Sequence, residues 1–354
     1  MSEFSINGKL DPFSFSKREL RETIVSECSL EPYRADQIFD WLMKNPSENL
    51  TDISTLSKAH KETVASKFYS GGLKILKRNK SSDGSVKYLF GLYDYDSNEG
   101  NAVESVFMRY HHGNTVCVST QVGCRMGCKF CASTVGGLVR NLLPGEILLQ
   151  VLQTERDTGE KISNIVLMGI GEPLDNFANV VKFLRLINSE DGMNIGFRHI
   201  SLSTCGLCDK IIALQAEGIP LTLSVSLHAP NDEIRRDLMP VARKFDYNSL
   251  IETCKNYIEA SHRRISFEYA MIRGVNDSPS HAESLALKLK GMLCHVNLIP
   301  LNETIGSELK PSDRATVEKF RSTLEKYGIN ATVRRKIGGD VNASCGQLRS
   351  SHRK

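Results

Sequence analysis

The sequence predicts an α/β protein whose core is a parallel sheet curled into an open six-stranded barrel. From about residue 114 the order strand, loop, helix recurs about six times, and such regular alternation is typical of parallel sheets. The composition, with 40% hydrophobic and 24% charged residues over 354 positions, is that of an ordinary globular protein. The six predicted strands are residues 115–122, 162–170, 198–204, 221–228, 264–272 and 294–301.

Between these strands lie segments of helical length. The segment PGEILLQVLQTERDT begins with Pro144, a residue favoured at the first position of a helix. NFANVVKFLRLIN and HAESLALKLKGML are further examples. A helix after each strand returns the chain so that the next strand runs parallel to the last.

The chain before the barrel predicts helices followed by a pair of strands. Ser16 can cap a first amphipathic helix, Pro32 interrupts the chain, and a second helix carries Trp41 on its apolar face, which predicts core packing for that side chain. Apolar and polar residues then alternate over 73–80 and 86–95 around the turn sequence SSDGS, as in a β-hairpin. We therefore expect a helical accessory domain over 1–70, a hairpin and linker region over 71–113, the barrel over 114–335, and a C-terminal loop and basic tail over 336–354.

Composition also excludes several classes of protein. No uninterrupted apolar run reaches the roughly 18 residues of a membrane-spanning helix, and the opening sequence MSEFSINGKLDPF lacks the layout of a signal peptide. We expect a cytoplasmic protein without a membrane partner. Its ten cysteines are bunched and too few for a disulfide scaffold, which in a reducing compartment favours metal binding or thiol chemistry.

Charge is concentrated at the C-terminus. The net charge of +4 and pI near 8.4 suit a nucleic-acid partner, although many small-molecule enzymes are similar. From residue 334 onward six basic residues stand against one acid, Asp340, and a solvated basic tail explains them equally well. The six are Arg334, Arg335, Lys336, Arg349, Arg353 and Lys354.

Polar residues cluster where the predicted strands end. Barrel enzymes of this type place their chemistry at the C-terminal ends of the strands. Each residue alone could simply cap the following helix, but strand after strand shows the same feature. The residues are Cys124, Gly171, Glu172, Ser203, Thr204, Ser226, His228 and Asn302.

The loop after the first barrel strand, GCRMGCKFC, holds the thiols of Cys124, Cys128 and Cys131. A structural zinc site needs four ligands, usually as two separated pairs, and no second pair with this spacing follows. Three cysteines leave one iron of a [4Fe-4S] cluster open, where S-adenosylmethionine can bind through its amino and carboxylate groups. Zinc and a purely structural cluster remain the alternatives.

Six motifs together resemble one family. They are GCRMGCKFCAST, GIGEPLDN, LSVSLHAPNDEIRRDLMPV, RRISFEYAMIRGVND, HVNLIPLN and ASCGQLR. From about residue 20 to the C-terminus the chain is similar to the RlmN-type dual-specificity adenine-C2 methyltransferases, which act on 23S rRNA and tRNA and belong to the radical S-adenosylmethionine superfamily. The resemblance implies a radical-SAM partial barrel with an RNA-associated N-terminal domain.

The resemblance also assigns residues to the two cofactors. It implies that Cys124, Cys128 and Cys131 bind the cluster. The residues implied for S-adenosylmethionine are Gly171, Glu172, Ser203, Ser226, Leu227, His228 and Asn302. This chain departs from the family where Asn342 and Ser344 precede Cys345 in place of an acid and an alanine, and where Cys205 stands for a serine.

The family reaction implies three further residues. Cys345 takes a methyl group from one S-adenosylmethionine, and a second S-adenosylmethionine supplies the radical that activates this methyl for attack on C2. Glu104 then accepts the C2 proton, and Cys117 resolves the link between protein and RNA, which leaves a transient disulfide with Cys345. The implied partners are 23S rRNA, tRNA and an electron donor such as flavodoxin or ferredoxin, and we expect a monomer.

Two other functions remain open at this point. A Cfr-type enzyme methylates C8 of the same rRNA adenine, but Pro173 and Pro300 favour the C2 family, because resistance enzymes tend to differ there. A non-catalytic iron–sulfur protein that binds RNA or senses redox state is the alternative of a different class.

Overall fold

The computed structural model describes residues 4–96, 100–302, 308–335 and 337–348. One ten-stranded sheet dominates it, in the spatial order β14-β13-β12-β11-β10-β9-β6-β5-β4-β3. The strands within the described residues are β1 (Ser5–Ile6), β2 (Lys9–Leu10), β3 (Lys74–Lys80), β4 (Val86–Gly91), β5 (Ala102–Met108), β6 (Asn114–Cys117), β7 (Gln121–Gly123), β8 (Leu138–Asn141), β9 (Ile162–Leu167), β10 (Ile200–Thr204), β11 (Thr222–Ser226), β12 (Ile265–Met271), β13 (Cys294–Pro300) and β14 (Ala331–Val333).

Helices cover the outer face of the barrel strands and form the N-terminal region. They are α1 (Lys17–Cys28), α2 (Pro32–Lys44), α3 (Lys58–Lys67), α4 (Pro144–Thr158), α5 (Phe177–Asn188), α6 (Cys208–Ala216), α7 (Asp232–Leu238), α8 (Tyr247–Ser261), α9 (Pro279–Leu289) and α10 (Arg314–Lys326). Among the described residues, every helix is too short or too polar to cross a membrane.

The predicted parallel α/β sheet is confirmed. From β6 to β14 each neighbouring pair of strands in the sheet is parallel. All six predicted strands are present, and the short β14 adds a seventh at the edge. The predicted hairpin, β3 and β4, is joined to the barrel by β5, which pairs with β6 so that Val106 faces Cys117. The hairpin and the barrel therefore share one continuous sheet.

The N-terminal helices begin where the sequence predicts. Ser16 caps α1, and its backbone N–H donates to Glu19 at 2.7 Å in a capping box, which satisfies donors that the first turn leaves unpaired. Pro32 occupies the first turn of α2. Trp41 is partly exposed and packs against the core, which confirms its predicted role.

Alternation along the barrel strands separates an apolar face from a polar one. On β10 and β11, Leu202, Leu223 and Val225 are buried, each contributing about 1.5–3 kcal/mol by leaving water. The neighbouring Ser203 and Ser224 lie on the opposite face, where they line cavities inside the barrel. The barrel thus has a helix-covered apolar outside and a polar interior.

Candidate active site

A cavity of about 170 Å³ lies at the C-terminal ends of the barrel strands. It brings together all the predicted cofactor residues except Leu227, and it includes Cys345 from the C-terminal loop. The predicted residues that line it are Cys124, Cys128, Cys131, Gly171, Glu172, Ser203, Ser226, His228, Asn302 and Cys345. Residues that are distant in sequence therefore meet at one edge of the sheet, as the strand-end pattern predicts.

The cysteine loop follows β7 and is held by its own backbone. Cys124 N donates to the Gly137 carbonyl at 3.0 Å, and a Cβ at Gly123 would collide with that same carbonyl. Only glycine therefore fits at this position. Cys131 N donates to Cys128 O at 3.1 Å, which turns the loop so that all three cysteines border the cavity.

The chemistry of these three thiols suits an iron–sulfur cluster. Burial raises the pKa of Cys124 to about 12 and that of Cys128 well above its usual value, so three thiolates need a cationic centre among them. In the part of the chain that the structure describes, no three Cys, His, Asp or Glu side chains are close enough together to hold a single metal ion. A four-iron cluster is larger than one ion, and the cavity offers three sulfur donors with polar groups opposite.

Glu172 is held rigidly at the end of β9. Its carboxylate accepts from Cys205 N at 2.7 Å and from Leu174 N at 3.1 Å, and burial raises its pKa. Gly171 has a φ of +103°, and a Cβ there would lie 2.6 Å from Gln121, so the turn requires glycine. The backbone N–H of Cys205 makes the contact with Glu172, so cysteine in place of serine preserves it.

His228 enters the cavity as a neutral base. Its Nδ1 accepts from Ala270 N at 2.9 Å, which assigns the ring proton to Nε2. Burial lowers its pKa to about 3. Phe130 of the cysteine loop packs edge-on against the ring, with centroids 4.8 Å apart. Its neighbour Leu227 is fully buried and does not line the cavity, so any role in binding falls to its main chain.

Cys345 lies between this first cavity and a second one of about 290 Å³. The second cavity is lined by Cys117 as well as Cys345, so both predicted catalytic thiols border the same space. Asn302 donates to Cys345 O at 3.1 Å and links the end of β13 to this loop. Burial raises the pKa of Cys117 to about 12.

The predicted disulfide is not supported by the structure. Cys117 and Cys345 are both free thiols, as are the other described cysteines. The resemblance implied this bond only as a transient product of turnover.

Arg334 is the main site residue that sequence reasoning missed. The solvated tail that the sequence left open for this residue is wrong, because only 24% of the Arg334 side chain is exposed and it lines both cavities. Its backbone N–H donates to Leu298 O at 2.8 Å, which fixes it directly after β14. Its guanidinium lies 3.9 Å from Glu268, and Cys345 is the largest cause of its raised pKa.

Glu104 lies on β5 beside the second cavity and does not line it. It shares a strand face with Val106 and Met108, which do. Its carboxylate pairs with Lys87 at 2.7 Å, and both side chains are nearly buried. Lys87 also donates to the Asn342 carbonyl at 3.0 Å, so one cation connects Glu104 to the loop that carries Cys345.

The loop that carries Cys345 is anchored by the hairpin turn. Gly338 N donates to Asp83 at 2.7 Å, and Ser82 N donates to Asp340 at 3.0 Å. The two departures from the family fit this geometry. Asn342 has a φ of +51°, which asparagine tolerates better than most residues, and Ser344 Oγ donates to Ile337 O at 2.9 Å.

The other anchor of this loop is the cysteine loop. Ala132 N donates to Gly346 O, and Ser133 Oγ donates to Leu348 O, both at 2.8 Å. Of the remaining tail charges, Lys336, Arg349, Arg353 and Lys354 lie outside the described residues.

Comparison with known proteins agrees with this geometry. Residues 118–285 match the model of the Radical SAM superfamily. The chain is 49% identical over 340 residues to the "Probable dual-specificity RNA methyltransferase RlmN" of Clostridium novyi (strain NT), covering 96% of this chain and 97% of that protein. A protein of the same name from Clostridium perfringens (strain 13 / Type A) is 51% identical over 339 residues, covering 96% of each chain.

A solved structure extends the likeness to three dimensions. The crystal structure of a radical SAM methyltransferase from Sphaerobacter thermophilus superposes with a TM-score of 0.90 at 39% identity, covering 96% of this chain and 99% of that one. Half of all positions are identical to relatives that match along nearly the whole length, and the cysteine loop opens on a strand-end cavity. The chain therefore belongs to the RlmN-type dual-specificity RNA methyltransferases of the radical SAM superfamily.

Proposed function

We propose that this enzyme methylates C2 of an adenine in 23S rRNA and in tRNA. It does so with a [4Fe-4S] cluster bound by Cys124, Cys128 and Cys131. Membership of the superfamily implies the cluster and S-adenosylmethionine. The observation that carries the proposal is the position of Cys345 between the cavity of the three cysteines and the cavity of Cys117.

The cofactors supply a methyl group and the radical that activates it, and this chain positions them. Gly171, Ser203, Ser226 and Asn302 present backbone and side-chain polar groups around the space opposite the cysteines. Glu172 still has lone pairs for a ligand ammonium, because each carboxylate oxygen can accept two hydrogen bonds. Neutral His228 would add no positive charge to a cavity that holds a sulfonium cofactor.

Cys345 is the proposed methyl carrier. A thiolate is the nucleophilic form of cysteine, and the Arg334 guanidinium is the cation beside it. From this position the carried methyl group can face the first cavity for activation and the second cavity for transfer. We infer that each turnover uses two S-adenosylmethionine molecules, one for the methyl group and one for its activation.

Cys117 and Glu104 are proposed to complete the reaction. Cys117 borders the second cavity, and its thiolate can attack the sulfur of Cys345. The new Cys117–Cys345 disulfide replaces the bond from that sulfur to the methylene carbon, which keeps the electron pair, takes a proton and becomes the methyl group on C2. Glu104 is proposed to accept the C2 proton. It lies beside this cavity and pairs with Lys87, so its carboxylate must shift toward the base before it can accept this proton. The target adenine must leave its stack to reach these groups.

The test is anaerobic turnover of reconstituted enzyme on an rRNA fragment and on tRNA, followed by nucleoside digestion and mass spectrometry. We expect 2-methyladenosine from both RNAs and none with the Cys345→Ala control. Formation of 8-methyladenosine would identify the Cfr-type reaction, and S-adenosylmethionine that stays uncleaved under reduction would identify a non-catalytic protein. A cytoplasmic location, a flavodoxin or ferredoxin as electron donor and a monomeric state remain predictions.

A further inference from the structure

Arg235 is a fully buried arginine on a helix that packs against the cysteine loop. It lies on α7, and its side chain has 0% exposure. Its Nη2 donates to Cys205 O at 2.6 Å. Its Nε and Nη1 make no hydrogen bond to any described residue. A buried guanidinium normally has a carboxylate partner, so this arrangement needs an explanation.

Thiols and a phenol are the titratable groups whose charge would stabilise the guanidinium of Arg235. These groups belong to four different segments around it, and none is a carboxylate. They are Cys205, Cys128, Cys208 and Tyr247. The positive charge also contributes to keeping His228 neutral.

Two of the three acids of α7 are paired elsewhere, and the third, Glu233, is exposed. Asp232 pairs with Arg236 at 2.6 Å, and Asp237 pairs with Lys129. Arg235 is connected to a carboxylate only through the backbone of Cys205. The Cys205 carbonyl accepts from Arg235, and the Cys205 N–H donates to Glu172. In the described part of the chain, Arg235 therefore has no ion-pair partner.

The helix that carries Arg235 is attached to the cysteine loop itself. Lys129 N, between Cys128 and Cys131, donates to Leu238 O at 3.0 Å. A Cβ at Gly127 would lie 3.3 Å from Pro240, just after the helix. These two contacts hold α7, and with it Arg235, against the cysteine loop.

We propose that Arg235 is a buried cation that stabilises the bound cluster and raises its reduction potential. The proposal rests on the cluster assignment made above. Three thiolates outweigh the charge of the oxidised cluster core, and reduction adds one more negative charge. A nearby cation shielded from water stabilises the reduced form more than the oxidised form, so the cluster becomes easier to reduce.

The test compares Arg235→Met with Arg235→Lys after anaerobic reconstitution. Iron content is measured first, and the midpoint potential is then obtained from a redox titration followed by electron paramagnetic resonance. We expect Arg235→Met to have a more negative midpoint potential than the wild-type protein and Arg235→Lys to stay close to it. Arg263→Met is the matched control, because Arg263 also donates to a backbone carbonyl, Leu221 O at 3.0 Å. Both residues lie just before barrel strands, β12 and β11, and so lie at the edge of the sheet opposite the cysteines.

Three results would overturn the proposal. They are an unchanged potential in Arg235→Met, an equal shift in the Met and Lys variants, and an equal shift in the Arg263→Met control. If Arg235→Met loads too little iron for a titration, the iron content of Arg235→Lys decides the question. Poor loading in this variant as well, which keeps the positive charge, would show a steric role. Wild-type protein that holds the cluster without cleaving S-adenosylmethionine would count against the proposed function and not against the effect of Arg235 on potential.

Thermal unfolding of the cluster-free proteins separates charge from structure. Without the cluster, the buried guanidinium is an uncompensated charge, and an apolar residue of similar size removes its desolvation cost. Cluster-free Arg235→Met should therefore unfold at a temperature no lower than that of the cluster-free wild type. A clear decrease would show that Arg235 serves the fold, which contradicts the proposal.

Discussion

Replacing Lys87 with methionine tests the buried ion pair that connects Glu104 to the loop that carries Cys345. Lys87 and Glu104 are 2.7 Å apart, with 11% and 13% of their side chains exposed. Breaking a buried pair by removing one partner typically costs about 3–5 kcal/mol. Because some exposure screens this pair, we expect a loss near the lower limit, on the order of 3 kcal/mol. The assay is urea unfolding of the cluster-free protein followed by circular dichroism.

Two further variants identify the source of that loss. In Lys87→Met/Glu104→Gln the buried negative charge is also removed, so most of the lost stability should return. Lys74→Met is the matched control, since Lys74 pairs with Asp96 on the surface of the same sheet at 3.2 Å, where a pair contributes about 0–1 kcal/mol. If Lys87→Met unfolds at the wild-type urea concentration, or the double variant is no more stable than the single one, the reasoning is refuted.

The remaining predictions concern the thiols. Cys128→Ala should lose the iron–sulfur absorption while keeping its circular dichroism spectrum, because the barrel has its own apolar core; full iron content would contradict the ligand assignment. Cys117→Ala should accumulate protein joined to RNA through Cys345, visible as an RNase-sensitive shift on a denaturing gel, whereas Cys345→Ala should form no adduct; equally adduct-free variants would remove Cys117 from the last step. With a pKa of about 12, Cys117 should be alkylated in the cluster-free native protein at a rate that rises about tenfold per pH unit beyond pH 10. A plateau near pH 9 in a mass-spectrometric time course would show an unperturbed thiol.

Much of the site could be predicted because parallel strands end at a common edge. Strand boundaries within a few residues were sufficient to place Glu172, Ser203, Ser226 and Asn302 around one cavity, since the sheet itself brings the ends together. The cysteine spacing indicated three ligands with one iron open. The C-terminal loop could be placed only by resemblance, because its anchors, such as Asp83 to Gly338 N, join residues that are 255 positions apart.

Arg334 was missed because the strand before it is too short to recognise. β14 has three residues, fewer than a period-two pattern needs to stand out. Without that strand, Arg334 belongs to a run of basic residues and is counted as tail. A seventh strand changes the interpretation completely, because the residue after it then lies at the same edge as Asn302 and beside Cys345.

Arg235 and Arg236 have opposite environments although they are neighbours in the sequence. They are adjacent arginines in a seven-residue helix, yet one is fully buried and the other pairs with Asp232 on the surface. Helical spacing offers a signal, since Arg235 lies three residues before the buried Leu238 and Arg236 lies four after Asp232. That signal places Arg235 toward the core, where an unpaired charge is costly. A cost of this kind persists only where something anionic offsets it, and Cys128 offers such a charge once it binds the cluster.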